Sequence, residues 1–432
     1  MGRRSIRHWD EDRTALLDLD ELYVEKGQGD SNNYFVWLQD PDVDRCPVCG
    51  GDIIKVQDLF PKTYYDIIDD HGNNRIITLV FQFYKYRCLN PDCRHIFAKD
   101  IEFATQNNNV TYRLENEIAK QVINGFSYSE ISMQFSEVIS RQAVGQIFNR
   151  WVRSKEELRR IKYSPSALAI VSGRTDRDQY TMFLTTDNGI RVFDIIYGVS
   201  SLDIIGKLRQ NGLNHVDTII SDCNPTIVDT INDNYPNSTY IIPVQYWFKL
   251  VSEDFAEYAH ERLRWSPIRN KDQIIMQSES ELGLRTTNRD TLLETRPELR
   301  QPYYDYNELR NLISDRERRW TVNDLDAWTS HVDPDFRSHL EPTILRLTAY
   351  KDLIYQHELH RDLVPDNLYA LTKRLEELIS EARTFSDAQL KARLLYLVPT
   401  DLDDWRGIPI ETIIAALGEM NLQQRRNRNE YE

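Results

Sequence analysis

The spacing of hydrophobic residues along this 432-residue chain changes from one part to the next. After residue 112, apolar residues recur three and four positions apart, which is the spacing of amphipathic helices. From residue 166, the chain instead shows short β-type runs that alternate with helical stretches. These two patterns predict a multidomain α+β protein.

The helical stretch, 108–163, is expected to form a helix-turn-helix. The inward residues of its first helix are Leu114, Ile118, Ala119, Val122 and Ile123. Gly125 interrupts that helix, and Ser127 with Glu130 forms a capping-box signature for a short second one. Ser140 is a good N-cap for a third helix. The inward residues of the third helix are Ala143, Val144, Ile147, Phe148 and Trp151. Two helices joined by a short turn are typical of a helix-turn-helix.

The β-type runs predict three strands followed by alternating helix and strand. The strands are expected over 167–172, 179–186, 190–197, 216–221 and 239–244. Asp187, Asn188 and Gly189 are a strong hairpin signal between the second and third strands. Helices are expected over 200–210 and 246–263. Three meandering strands followed by alternating helix and strand is the order of an RNase H-like α/β core, which we place over 164–264.

The other segments are an N-terminal extension over 1–40, a polar, charge-mixed and helix-forming insertion over 265–350, C-terminal helices over 351–400 and a tail over 401–432. The helices returning to the core are expected over 368–381 and 387–397. The insertion has no long heptad run, so a homodimer through it is left open. The end of the tail, from Gln423, is expected to be disordered.

Four of the five cysteines in the chain predict a metal site. Cys46 and Cys49 form one C-x-x-C pair, and Cys88 and Cys93 form a looser pair with Asn90 in its turn. Paired thiolates from two turns supply the four soft ligands of structural Zn²⁺, which predicts a zinc ribbon over 41–104. The alternative is four unrelated reduced thiols.

The pattern His357, Glu358, His360 does not add a second zinc site. Zinc hydrolases need H-E-x-x-H, because that spacing puts both imidazoles on one helical face.

The chain shows no sign of secretion or of a membrane span. It has no N-terminal apolar segment and no run of about 18 apolar residues. Four of its five cysteines are assigned to the metal, which suits a reducing compartment. We therefore expect a cytoplasmic, nucleoid-associated protein without membrane partners.

Charge confines any DNA binding to one place. The formal net charge of −15 argues against indiscriminate coating of nucleic acid, which requires Lys and Arg to neutralise phosphates. Between Val138 and Tyr163, however, the chain has seven Lys or Arg residues and only two Glu residues. The outward residues of the third helix are Arg141, Gln142, Gln146, Asn149, Arg150 and Arg153. Arg reads guanine, and Asn or Gln reads adenine, so these residues predict major-groove recognition. The alternative is a helical bundle with a solvated charged face.

Taken together, these features resemble a known family. The ribbon motif YRCLNPDCRHIF, the helix-turn-helix, the RNase H-like order and the later segment KARLLYL look like those of bacterial insertion-sequence DDE transposases of the ISL-three group. The likeness spans nearly the whole chain, and it implies that 265–350 is a helical insertion within the RNase H-like core, with the last helices of the core over 351–400. It implies double-stranded DNA as partner, at terminal inverted repeats or a related operator. In an active member, it also implies Mg²⁺-dependent strand cleavage and transfer.

The resemblance implies catalytic carboxylates, of which only Asp222 is matched. The stretch expected to hold the first aspartate is Ala169–Ser172, and Leu368 or Tyr369 occupies the position of the final glutamate. A further acidic position is replaced by Gln245–Lys249. One carboxylate cannot hold two divalent cations near a phosphate. Acids that could rebuild the site are Asp176, Asp178, Asp194, Glu376, Glu377 and Glu381. The simpler interpretation is that Asp176 and Asp178 belong to a hairpin turn and that the glutamates lie on the solvated face of a helix.

The sequence thus predicts a transposase-related, sequence-specific DNA-binding protein with a degenerate catalytic site, acting as a regulator or scaffold of a nucleoprotein complex. The alternative is an active transposase with a carboxylate site rebuilt around Asp222. A third reading is an interaction protein whose acidic core docks a basic partner.

Overall fold

The chain falls into two compact units that divide between Glu156 and Glu157. A computed structural model describes residues 26–29, 33–37, 43–70, 73–98, 103–104, 109–135, 138–158, 165–175, 178–187, 189–277, 286–314, 320–381, 386–396 and 407–429. Within them, 15 α-helices and two β-sheets form a mixed α+β protein, as predicted.

The first sheet is built on a long hairpin. Its strands are β1 (Lys26–Gly29), β2 (Asn33–Trp37), β3 (Ile54–Asp70), β4 (Asn73–Cys88) and β5 (Ile96–Ala98). The order is β1-β2-β4-β3, and β5 pairs with β4. β1 and β2 come from the segment predicted to be only an extension. β2 pairs with β4 in parallel, a long-range contact that local sequence pattern cannot reveal.

Strand β4 shows why this hairpin forms. Ile77, Leu79, Phe81 and Phe83 alternate along it and are all buried, as the period of two along a strand requires. Phe81 stacks on Phe103 with ring centroids 4.7 Å apart. The hairpin therefore has an apolar core of its own, in addition to the cysteines at its end.

Three helices follow in the first unit: α1 (Tyr112–Ile123), α2 (Tyr128–Gln134) and α3 (Arg141–Leu158). The capping box of Ser127 and Glu130 is present as predicted. Ser140 Oγ accepts the N–H of Ala143 at 3.2 Å at the start of α3. Each cap satisfies a donor that a helix N-terminus leaves free, which is why these helices begin where the sequence indicated.

The second unit contains a six-stranded sheet of order β10-β9-β6-β7-β8-β11. Its strands are β6 (Ala167–Arg174), β7 (Gln179–Thr185), β8 (Arg191–Tyr197), β9 (Thr218–Ser221), β10 (Thr239–Ile241) and β11 (Ile408–Pro409). β6, β7 and β8 are antiparallel, whereas β9 and β10 run parallel to β6. All five predicted strands are present, with ends shifted by a few residues.

Helices connect and cover these strands. The first three are α4 (Ser201–Gln210), α5 (Pro225–Asn234) and α6 (Val244–Leu263). Residues 168–171 of β6 are buried, as expected for a strand covered on both faces.

The segment predicted as a helical insertion is helical. Its helices are α7 (Lys271–Met276), α8 (Thr286–Thr295), α9 (Arg300–Ser314), α10 (Val322–His331), α11 (Pro334–His339) and α12 (Glu341–Leu359). α12 passes the predicted boundary at residue 350. α13 (Leu368–Glu381) and α14 (Asp387–Leu395) follow, close to the predicted bounds.

The prediction of a disordered C-terminal tail is wrong up to residue 429. β11 pairs with β8, and α15 (Ile410–Asn429) follows directly. A side chain at Gly407 would place its Cβ 2.8 Å from the carbonyl oxygen of Val192, so only glycine allows this approach. Ile410, Ile413 and Leu417 recur at helical spacing and are buried. This spacing is visible in the sequence and indicates a helix, whereas the prediction of disorder came from the arginine-rich end of the tail.

Among the residues that the structure describes, no helix has the length and apolar character needed to cross a membrane.

Candidate metal centre and nucleic-acid interface

The four cysteines of the two pairs converge at the open end of the β3–β4 hairpin, where β3 begins and β4 ends. All four Sγ atoms lie within 4.8 Å of one another. Sγ of Cys46 is 3.8 Å from that of Cys93, and Sγ of Cys49 is 3.6 Å from that of Cys88. Thiolates bound at about 2.3 Å to one tetrahedral zinc are about 3.8 Å apart, whereas a disulfide requires about 2.05 Å. The four thiols could therefore hold a metal ion such as zinc.

The first cysteine pair lies on a tight backbone turn. The N–H of Gly50 donates to the carbonyl of Cys46 at 2.9 Å, and Gly50 has a φ of +67°. The backbone N–H of Cys49 lowers the pKa of the Cys46 thiol to about 7. A lowered pKa favours the thiolate, which is the form that binds a metal.

The second pair is held by Asn90. Its carbonyl accepts the N–H groups of Cys93 and Arg94, each at 3.0 Å, while its side-chain amide donates to Cys49 Sγ at 3.8 Å. Asn90 thus closes the second turn and contacts the first pair, a link that the sequence did not reveal. His95 stacks on Phe97 with ring centroids 6.0 Å apart and is not part of the cluster.

The predicted DNA-reading residues of α3 separate into an exposed row and one partly buried residue, Arg150. The exposed residues, called here the α3 face, are Arg141, Gln142, Gln146, Asn149 and Arg153. From Gln142 onward they are spaced by four, three and four positions, so they form one stripe along the helix. The opposite side buries Val144, Ile147, Phe148 and Val152. Trp151, which was expected inward, is half-buried and donates to Asn116 Oδ1 at 2.7 Å.

Arg150 departs from the prediction that it points outward with the α3 face. Its Nε lies 2.8 Å from Oε1 of Glu115 on α1. The Glu115 side chain is only 9% exposed, and a carboxylate buried to that degree needs a cationic partner. Arg150 therefore fastens α3 to α1. The sequence pattern placed it on the outer face because the pattern did not show that Glu115 is buried.

Close packing of α2 on α3 sets the direction of the α3 face. A Cβ on Gly145 would lie 3.1 Å from the ring of Tyr128, which is tighter than ordinary contact. Ser132 Oγ donates to the carbonyl of Ile139 at 2.8 Å across the turn. Gly145 thus allows the helices to approach closely, as in a helix-turn-helix.

A buried carboxylate joins the hairpin to the helices. Asp66 of β3 accepts from Nη2 of Arg113 at 2.5 Å and from Oγ1 of Thr111 at 2.5 Å. Nearby, the N–H of Thr111 donates to the carbonyl of Tyr65 at 3.0 Å. Thr111 is also the N-cap of α1. The cysteine-bearing hairpin and helix α1 therefore share one polar junction, which sequence reasoning missed.

Asp222, the predicted catalytic remnant, is buried at the end of β9 and accepts several hydrogen bonds. Its Oδ2 accepts from the N–H of Ser172 at 2.6 Å and also from Ser172 Oγ, while Oδ1 accepts from the N–H of Asn224 at 3.0 Å. Burial raises the pKa of this carboxyl, and the donors at Ser172 and Asn224 oppose the rise. These contacts tie the ends of β6 and β9 together.

Next to Ser172 lies an ion pair instead of an acidic cluster. Lys249 Nζ is 2.8 Å from Oε2 of Glu376, and the N–H of Arg174 donates to Oε1 at 3.1 Å. Ser172, Lys249 and Glu376 line the same small pocket. Lysine thus supplies a positive charge beside these groups.

The other acids proposed for a rebuilt site are engaged elsewhere. Asp178 accepts from the Tyr197 hydroxyl at 2.6 Å, and Asp194 pairs with Lys207 at 3.0 Å. Glu377 pairs with exposed Arg374 on the same helix, and Glu381 accepts from Asn421 at 3.3 Å. Asp176 lies outside the described residues. Within the described ranges, the four cysteines are the only His, Cys, Asp or Glu group of three or more arranged for a metal.

Comparison of the chain with protein-family models and with curated proteins found no match.

Proposed function

We propose that this chain is a sequence-specific, double-stranded-DNA-binding protein related to transposases of the ISL-three group, with a core that does not cut DNA. In this proposal α3 reads the major groove, Zn²⁺ holds the ribbon, and the second unit acts as a scaffold within a nucleoprotein complex.

The observation that carries the proposal is the α3 face. A recognition helix needs Arg, Asn or Gln at adjacent exposed turns, because these side chains form bidentate contacts with base edges. The first turn of α3 contains no acidic residue, so no carboxylate there repels phosphate. The ion pair of Arg150 with buried Glu115 holds α3 against α1.

A structural role for zinc is supported by where the cysteines lie. Cys46 and Cys88 are buried, and all four thiols come from turns that close on each other at the hairpin end. Four protein ligands leave no open coordination position for a substrate, which is typical of a structural site.

The order of the second sheet supports an RNase H-like core. Three antiparallel strands in the sequence order β6, β7, β8 are extended by parallel β9 and β10 on the other side of β6. Two-metal phosphoryl transfer needs several carboxylates around the cations. Here Asp222 is hydrogen-bonded to Ser172, and Lys249 neutralises Glu376. These contacts support a core without catalytic activity.

One observation favours the alternative of an active transposase. Glu376 reaches the pocket that Ser172 also lines, so a carboxylate does approach this end of the sheet. Binding of a cation there would have to break the ion pair with Lys249, so we place this alternative second.

The proposal is tested by binding to duplex DNA selected from a random pool, followed by fluorescence anisotropy. We expect Arg141→Ala and Gln146→Ala each to weaken binding by about 1–3 kcal/mol, because each removes a base contact. Arg337→Ala is the control, since it removes an exposed positive charge from the second unit. Equal affinity of all variants would contradict the proposal.

A further inference from the structure

The second unit contains a large open cavity that adjoins the small pocket at Ser172 and shares Lys249, Tyr369 and Lys373 with it. Its volume is about 880 Å³, within the range of about 300–1,000 Å³ typical of small-molecule sites. Its walls come from α6, from α9, and from the segment between His357 and Lys373. None of the functions argued above uses this space.

Aromatic rings form part of the wall. The lining rings are Phe248, Tyr306, Trp320 and Tyr369. Tyr306 is buried between Phe248, with ring centroids 5.6 Å apart, and Phe255, with centroids 4.5 Å apart, and this stack fixes the ring of Phe248 at the wall. Phe248 and Tyr369 are only half-buried, so both present area to the cavity. Flat aromatic surfaces of this kind favour a planar ring as ligand.

Positive charge is concentrated in the same cavity, although the chain as a whole carries −15. The lining cations are Lys249, Arg310, Arg361 and Lys373, against the lining acids Glu253 and Asp366. Lys249 is committed to Glu376. Lys373 is exposed and makes no ion pair with any described residue, and Arg361 Nε has no hydrogen-bond partner among them. The lining therefore has more positive than negative side chains, which favours a negatively charged ligand.

His357 provides a neutral donor at the cavity wall. It is 7% exposed, and its Nδ1 accepts the N–H of Val244 at 3.3 Å. Burial, helped by the charge of Arg361, lowers the pKa of His357 to about 4, so the ring is neutral at pH 7. A neutral imidazole that accepts at Nδ1 carries its proton on Nε2. That N–H has no hydrogen-bond partner among the described residues, and His357 lines the cavity, so this donor is available to a ligand.

We propose that this cavity binds a nucleoside phosphate, with the base against the aromatic wall and the phosphate at Lys373 and Arg361. The combination of flat rings, cations and a neutral donor matches a planar base that carries an anionic group. The ligand is either a free nucleotide or an unpaired nucleotide within a DNA strand, since both have this chemistry. The site lies in the second unit and does not depend on the α3 face.

Calorimetric titration of the full-length protein tests this proposal. The probes are deoxynucleoside monophosphates, deoxyadenosine, inorganic phosphate and a single-stranded oligodeoxythymidylate of about eight nucleotides. The oligonucleotide is titrated into a variant carrying Arg141→Ala and Gln146→Ala, so that α3 does not contribute. We expect a monophosphate or the oligonucleotide to bind, and binding of only one of them identifies the source of the ligand.

Substitutions locate the binding. Lys373→Ala should weaken it at least about tenfold, because a charged contact to phosphate is lost. Arg374→Ala removes the neighbouring positive charge, which does not line the cavity, and should leave affinity unchanged. The proposal is overturned if no probe binds at about 1 mM, if inorganic phosphate binds as well as the nucleotides, or if Lys373→Ala has no effect.

Discussion

Asp222 illustrates how neighbouring groups decide what a residue does. By sequence position it is the one matched catalytic carboxylate of the proposed family. In the structure its oxygens accept hydrogen bonds from Ser172 and Asn224. The sequence located Asp222 correctly at the end of a strand. It did not show these partners, because they depend on the register between β6 and β9.

Replacing Asp222 with Asn tests this structural role. In either orientation of the amide, one backbone N–H that now meets an oxygen would meet an NH₂ group instead. We expect a loss of about 1–3 kcal/mol in the free energy of unfolding, measured by urea denaturation. Glu377→Gln on the exposed surface of α13 is the control. Unchanged stability of Asp222→Asn would refute the structural role.

His357 leads to a prediction about pH. Its pKa of about 4 in the folded protein lies below that of an unfolded histidine, about 6.5. Its contribution to stability is therefore complete above pH 6.5 and is lost as the pH falls toward 4. Between pH 7 and pH 5, we expect the titration of this residue to lower the free energy of unfolding by about 2 kcal/mol.

Urea unfolding of wild type and of His357→Gln at both pH values isolates this effect, because Gln can still accept from Val244 and does not titrate. The stability of the variant should fall less with acidification than that of wild type. Parallel losses in the two proteins would show that His357 is not the titrating group.

At the scale of elements, periodicity predicted most of the fold. The helix ends at Ser127 and Ser140 were found because capping is local. β1, β2 and β11 were missed because each depends on a partner strand far away in sequence. The separation of Arg150 from the α3 face was missed for the same reason, since Glu115 lies on another helix. The four cysteines were correctly grouped because a metal site constrains both spacing and residue type.

The ribbon leads to a prediction about metal content. Purified protein should contain one zinc per chain, and Cys46→Ser should lose it and unfold at a lower temperature, because metal binding contributes to folding. The measurement is elemental analysis together with thermal unfolding. Cys223→Ser is the matched control, because Cys223 is a buried cysteine outside the cluster. Zinc bound equally by the two variants would refute the assignment.

At the scale of the whole molecule, the proposed functions lie in different units. The first unit joins the cysteine-bearing hairpin to helix α1 through Asp66, and this junction supports the α3 face, the DNA-reading surface in our proposal. The second unit has strands in the order expected for a nuclease core, with an ion pair of Lys249 and Glu376 beside Ser172. The negative charge of the whole chain limits nonspecific attachment, so affinity must come from the local surface.

The most direct test asks whether the protein holds its DNA without cutting it. Full-length protein is mixed with its selected duplex in Mg²⁺ or Mn²⁺, and the complex is resolved on native and denaturing gels beside Asp222→Ala. We predict a shifted complex whose strands remain intact in both proteins. Metal-dependent cleavage or strand transfer that disappears with Asp222→Ala would contradict the account, as would the absence of any complex.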